Sequence, residues 1–358
     1  MNNKAVIAMS GGVDSSVAAY LMKQRGFDCI GVTMKLFANE DIGISREHSC
    51  CSLDDVEDAR SVAYSLDIPY YVFNFSDRFE TDVIDRFIHA YENGITPNPC
   101  IDCNRYLKFD KLYMRAKELD RDYVVTGHYA MVEKDGNGRF LLKKALDDTK
   151  DQSYVLYCLT QEQLSHTIFP LGEMRKSQAR EIAESQGFIN ARKADSQDIC
   201  FVQNGSYADF IEQYTGKNYP DGDFLDTNGN VIGRHKGVIR YTVGQRKGLG
   251  ISAPEPLYVK AVNPLSNTVT LSYNNGLYSS VVKAGDINLI SVPEIKGEMR
   301  VKAKVRYRHT EQWATVTQNG ETLTAVFDEP QRAVTCGQAL VLYDGDTVVG
   351  GGTIIEVE

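Results

Sequence analysis

The stretch "AVIAMSGGVDSSVAAYL", Ala5 to Leu21, decides the fold. Five mostly apolar residues run into Ser-Gly-Gly, and small and apolar residues at helical spacing follow, which reads as strand, tight loop, helix. In a doubly wound sheet this is where anions bind. Glycines let the backbone come close, and the helix N-terminus offers unpaired N–H groups and the positive end of its dipole. The loop lacks the lysine of G-x-x-x-x-G-K-S/T, and its glycines are not spaced as G-x-G-x-x-G. By itself a pair of glycines is no more than a strand-to-helix turn with an Asp-Ser cap. The six-residue string SGGVDS is far more specific.

Outward from this loop, the first half of the chain alternates strand-like and helical runs. After "AVIAM" come a helix from about Ser15 to Gln24, "IGVTMKLF", a helix from about Leu53 to Leu66, "YYVFNF", further helices and "YVVTGHYA". Such alternation predicts a parallel sheet covered by helices. Ser52 reads as the cap of the second helix, with Asp54 and Asp55 in its first turn facing the positive dipole end. Another helix is expected at "KSQAREIAESQG", stopped by Gly187. After about Gly205 the texture changes. Residues 216–256 are rich in Gly, Asp, Asn and Pro with β-like pieces such as "VIRYTVG". From about residue 282 "MRVKAKVRYR" and "WATVTQ" alternate at period two, and "QNGE" and "YDGD" supply turns. The expected architecture is an α/β domain over 1–205, a small central module over 206–281 and a C-terminal β-barrel over 282–358.

A chain of 358 residues exceeds one hydrophobic core. No segment approaches the ~20 uninterrupted apolar residues that cross a bilayer, and the opening "MNNKAVIAMSGG" is too brief for a signal-peptide core. The expectation is a cytoplasmic protein with no membrane partner. Eight cysteines in a reducing compartment argue against a disulfide framework. A net charge of −9 counts against indiscriminate nucleic-acid binding, although basic residues cluster at Arg105–Lys117, at Arg240–Lys247 and at Lys302–Arg308. On composition such clusters are more often solvated faces.

The segment "TPNPCIDCNRYLKF", Thr96 to Phe109, holds Cys100 and Cys103 three residues apart. A metal clamp, a disulfide and a reactive thiol all fit that spacing.

SGGVDS closely resembles the PP-loop of the ATP pyrophosphatases, of the adenine nucleotide alpha-hydrolase-like fold. The resemblance implies ATP held by its pyrophosphate end and an adenylated intermediate. Asp14 beside phosphates implies Mg²⁺. "TPNPC...CNRYLKF", "TGHY", "KDQSY", "DSQDICF", "YTVGQRKGLGI", "VRYR" and "FDEPQRAVTCGQALVLY" follow in order through nearly the whole chain. Together they are similar to the bacterial tRNA-specific 2-thiouridylases. That resemblance implies adenylation of O2 of the wobble uridine in tRNAs for glutamate, glutamine and lysine. Replacement of the oxygen by sulfur from a cysteine persulfide follows, with a donor protein (a cysteine desulfurase or relay protein) upstream.

Carried over motif by motif, Ala8, Met9, Ser10, Gly11, Gly12, Val13, Asp14, Ser15, Met34 and Gly127 are implied to bind ATP. Asn98, Pro99 and Cys100 are implied to lie against the target base. Cys103 is implied as the nucleophile and Cys200 as the persulfide carrier. His128, Lys150, Asp151, Gln152, Arg306, Tyr307 and Gln338 are implied to contact or position tRNA. The chain departs from the family at Cys100, where many members carry aspartate. That leaves Cys100, Cys103 and Cys200 as an alternative three-thiolate set for a 4Fe-4S cluster. Cys29, Cys158 and Cys336 match no catalytic motif and are expected to pack, and Cys50 and Cys51 carry no assigned role. Two other functions compete: a PP-loop ligase that amidates its substrate, which needs neither Cys103 nor Cys200, and a noncatalytic RNA-binding module.

Overall fold

The computed structural model describes residues 2–37, 53–195, 199–202 and 206–358. Ser52, Cys50, Cys51 and residues 196–198 of "DSQDICF" lie outside the described residues. The chain forms two compact units.

The first unit comprises Met1–Val83, Pro99–Gln203 and Gly345–Gly350. Its strands and first helices are β1 (Lys4–Ala8), α1 (Val13–Gln24), β2 (Asp28–Lys35), α2 (Leu53–Ser65), β3 (Tyr70–Asn74), β4 (Tyr123–Val125), β5 (Met131–Lys134), β6 (Phe140–Lys143) and β7 (Thr167–Ile168). A parallel sheet runs in the order β3-β2-β1-β4-β7. β1 is its centre, with Ala5, Val6 and Ile7 wholly buried, as expected for a strand covered on both faces. α1 lays Val17, Ala18, Ala19 and Met22 into the core beneath the sheet. Its small side chains let helix and sheet approach closely. Strand order reverses between β1 and β4, and ligands of doubly wound sheets bind in the crevice beyond the carboxyl ends of such a pair. The helix Lys176–Ser185 forms as expected, and Gly187 adopts φ +67° beyond its end.

The second unit comprises Ile84–Asn98, Asn204–Asp344 and Gly351–Glu358. Helices Asp85–Glu92 and Tyr207–Thr215 meet through the stacked rings of Tyr91 and Tyr207, 4.3 Å apart. A four-stranded sheet, β8 (Gly222–Leu225), β9 (Val231–His235), β10 (Tyr258–Asn263) and β11 (Thr268–Ser272), runs in the order β10-β11-β8-β9 over Phe224, Tyr241, Val259, Val269 and Leu271. The barrel strands are β12 (Tyr278–Leu289), β13 (Glu298–Lys304), β14 (Gln312–Asn319), β15 (Thr322–Arg332), β16 (Ala339–Asp344) and β17 (Thr347–Val357). They run β12-β15-β14-β13-β16-β17, closed by β12 against β17. On β13 the alternation sends Val301 and Ala303 inward and leaves Arg300 and Lys302 exposed.

Three local expectations are corrected. "VIRYTVG" is not strand: Val238–Arg240 is a 3-10 turn, because Gly237 and Gly244 on either side take φ +85° and +87°. "MRVKAKVRYR" leaves the barrel strand after Lys304, where Arg306 turns back to donate to the carbonyls of Ala333 and Val243. Finally, α1 begins at Val13 rather than Ser15, so Asp14 and Ser15 belong to its first turn.

Candidate active site

The glycine loop and the turn after β4 meet at the crevice. Gly11 takes φ +74°, and a Cβ there would lie 2.4 Å from the Asp55 carbonyl oxygen, so the position needs glycine twice over. A Cβ on Gly127 would lie 2.7 Å from the Asp14 carbonyl carbon and 2.8 Å from the Ser15 nitrogen. Gly12 caps α1 without a side-chain hydrogen bond, which leaves first-turn N–H groups available to an anion. Ser15 and Ser16 donate their hydroxyls to the Gly12 carbonyl, 3.0 Å each, and the Ser10 N–H donates to Ser15 Oγ at 3.2 Å. Buried Asn190 locks the loop from the far side, donating Nδ2 to the Gly11 carbonyl and to Ser16 Oγ, 2.9 Å each. Ala8 ends β1, Met9 and Val13 are buried, and half-buried Met34 stands near the carboxyl end of β2.

Charge at the loop is balanced by the chain itself. Asp14 accepts from Lys176 Nζ at 2.7 and 2.8 Å and from the Tyr129 hydroxyl at 2.8 Å. Lys176, only 10% exposed, also reaches Asp195 at 2.8 Å. Asp195 in turn accepts from Lys150 at 2.8 Å and Arg180 at 2.9 Å. Burial alone would raise the Asp195 pKa, but the hydrogen bonds from Lys150 and Lys176 outweigh it and hold the carboxyl at about 2. The expectation that Asp14 needs Mg²⁺ is thereby corrected: an ammonium already answers its charge. Among the described residues no group of three His, Cys, Asp or Glu side chains is disposed to hold a metal. A magnesium ion therefore fits this site as one carried largely by phosphate oxygens.

The same observation bears on the cysteines. Cys100 and Cys103 fall on a helical run that begins as Pro99–Asp102 and widens to π form over Cys103–Lys111, a departure often found at functional sites. Within that run Cys100 is exposed and Cys103 is 8% exposed, so the two thiols meet different surroundings. Cys100, Cys103 and Cys200 do not converge as a ligand set, and the residues as placed do not fit a 4Fe-4S cluster. Cys200 is half-buried, and its neighbour Phe201 is anchored edge-on against Phe79 at 5.7 Å. Cys29 and Cys158 are packed thiols, pushed up by burial to about 11 and about 12. Cys336 is half-buried.

His128 is buried, with Nδ1 2.6 Å from Thr126 Oγ1 and its ring between Phe109 and Phe169, each 5.9 Å away. Burial first, then nearby Lys108, drives its pKa well below 6.5. Its imidazole is neutral and holds position. The folded value lies below the unfolded one, so its contribution to stability is whole above pH 6.5 and declines as the pH falls through that value. NMR of the ring should show no titration between about pH 6 and pH 8; a midpoint in that window would contradict the packing.

Asp151 accepts from the N–H and hydroxyl of Ser153 and from the Ala145 N–H, and Gln152 accepts from the Tyr129 N–H. These two side chains shape their own loop, while Lys150 is tied to Asp195. In the second unit Gln338 donates to the carbonyls of Thr96 and Pro97, at 2.9 and 3.1 Å, and so fixes the chain leading to half-buried Asn98. Pro99, in the first unit, is buried. Arg306 Nη2 donates to Thr335 Oγ1 at 2.6 Å, and Tyr307 is 39% exposed.

Three family descriptions cover the chain: "tRNA methyl transferase HUP domain" over residues 3–204, "tRNA methyl transferase PRC-barrel domain" over 208–273 and "Aminomethyltransferase beta-barrel domain" over 279–354. A curated tRNA-specific 2-thiouridylase MnmA of Clostridioides difficile (strain 630) is 52% identical over 99% of this chain and 98% of its own length. The chain belongs to the tRNA-specific 2-thiouridylase family. The enzyme of that name from Lachnoclostridium phytofermentans is 51% identical over 99% of both chains. Among solved structures, a 4-thiouridine synthetase–RNA complex with bound ATP is 20% identical, covering 59% of this chain and 50% of that one with a TM-score of 0.35.

Sequence reasoning passed over Lys176, Asn190 and Tyr129, all of which touch the loop of this 2-thiouridylase family member. Lys176 opened a predicted helix and read as a solvated charge. A lysine at a helix start, against the dipole, was the one available signal that something else holds it there.

Proposed function

We propose that the chain is an ATP-dependent tRNA sulfurtransferase that converts the wobble uridine to 2-thiouridine. The observation that carries this reading is full-length identity of about half to the 2-thiouridylases. The glycine loop at the strand-order reversal gives it a physical basis. "Methyl transferase" in the domain descriptions and "2-thiouridylase" in the full-length relatives name different chemistry. A phosphate-type cradle in a unit that also carries Cys103 and Cys200 favours thiolation.

On this reading the loop N–H groups and the N-terminus of α1 take the β- and γ-phosphates, with Mg²⁺ arriving on the triphosphate. The uridine O2 attacks the α-phosphorus and pyrophosphate leaves, so that oxygen becomes part of a departing AMP. The terminal sulfur of a persulfide on Cys200 attacks C2 and expels AMP. The Cys103 thiolate then attacks the Cys200 sulfur and cleaves the S–S bond, leaving 2-thiouridine and a Cys103–Cys200 disulfide. A thiol reductant and a persulfide donor protein restore the starting state. Neutral His128 and the Lys150–Gln152 loop act by positioning. ATP and tRNA place the work in the cytoplasm; among the described residues no helix is long and apolar enough to cross a membrane.

Pyrophosphate release that requires both ATP and tRNA tests the adenylation step, and release indifferent to tRNA would contradict it. Gln338→Ala frees the Thr96–Pro97 carbonyls at about 1–3 kcal/mol, so kcat/KM for tRNA should fall roughly tenfold or more. ATP affinity, measured by calorimetry, should hold.

A further inference from the structure

Lys176 touches two motifs at once. Its ammonium is shared between Asp14 of SGGVDS and Asp195, the first residue of the "DSQDIC" segment that ends in Cys200. Its place is fixed from behind, where its backbone N–H donates to Asp147 Oδ2 at 2.9 Å and its side chain is almost fully covered. Asp195 does not depend on Lys176 alone, because Lys150 and Arg180 hold it at 2.8 and 2.9 Å. Asp14 likewise keeps the Tyr129 hydroxyl.

We propose that Lys176 is the positioning residue through which nucleotide on the Ser10–Ser15 loop sets the placement, and hence the reactivity, of Cys200. The inference rests on the loop being an ATP site. A triphosphate brings several negative charges to a loop where this ammonium already stands, and a phosphate oxygen is a stronger partner than a carboxylate that has two other cations. Lys176 turns from Asp195 to phosphate, and one of three tethers on the Cys200 segment is lost. Adenylation and sulfur delivery are thereby ordered: the persulfide-bearing segment responds once nucleotide is in place.

The test uses the full-length protein and a non-cleavable α,β-methylene ATP with Mg²⁺. Iodoacetamide labelling of Cys200 is timed by peptide mass spectrometry, with analogue binding measured in parallel by calorimetry. In the wild type the analogue should change the Cys200 labelling rate at least about fivefold, the lower range of site-to-site coupling. In Lys176→Met the rate should be indifferent to analogue, and Lys176→Arg should recover the response, which a purely structural lysine would not predict. Asp195→Asn keeps the Lys176–Asp14 pair and should also lose the response; it decides the matter if Lys176→Met does not fold. Analogue that binds the wild type without altering Cys200 labelling overturns the coupling alone, as does a full response in Asp195→Asn. Analogue that fails to bind the wild type overturns the ATP reading and the coupling with it.

Discussion

Cys200→Ala should abolish 2-thiouridine formation, by more than about a thousandfold, because no other group takes over a lost covalent nucleophile. Release of pyrophosphate in the presence of tRNA should continue. The expectation follows from the division of labour in the first unit. The loop at β1 and the turn after β4 build the nucleotide cradle from backbone and small side chains, none of them Cys200. Cys200 is half-buried beside an anchored Phe201. Cys103→Ser should likewise spare adenylation. Loss of pyrophosphate release along with thiolation in Cys200→Ala would assign Cys200 a structural role, and the sulfur-transfer scheme would have to be redrawn.

Gly127→Ala should be the most damaging single methyl in the cradle. Its added Cβ meets backbone, the Asp14 carbonyl carbon at 2.7 Å and the Ser15 nitrogen at 2.8 Å, and backbone has no rotamer by which to yield. Overpacking of this kind costs about 1–3 kcal/mol, or roughly ten- to a hundredfold in ATP affinity if the loop absorbs it. Gly136→Ala is the control, since a Cβ there meets nothing within 4 Å. Calorimetric titration with the ATP analogue separates the two variants. Equal affinity in both would mean that the β4 turn does not shape the nucleotide site.

The sheet and its loop were legible in the sequence because both are short-range features. "AVIAM" followed by SGGVDS carries strand, turn and helix start within a dozen residues, and the period-two runs in the barrel announce their faces one residue at a time. Legibility failed where glycine conformation overrode an apolar run, as at Val238–Arg240. It failed again where distant residues supply the partner. Asp14 next to phosphates called for a counter-charge, and magnesium was the local answer. The fold brings Lys176 there from a helix remote in sequence. Cys100 and Cys103 looked like one motif by spacing, yet the helix that carries them exposes the first and buries the second. Gln338, by contrast, was implied only through resemblance. Its bonds to Thr96 and Pro97 supply a physical role that neither its own segment nor theirs discloses.

The central claim is sulfur transfer to tRNA driven by ATP. Its most direct test is nucleoside mass spectrometry of tRNA for glutamate, glutamine or lysine after incubation with the protein, ATP, Mg²⁺ and a persulfide donor. The account predicts a 16-mass-unit gain on uridine at the wobble position, absent without ATP and absent with Cys200→Ala. Unmodified uridine in the complete reaction, or thiolation that persists without Cys103 and Cys200, would contradict it.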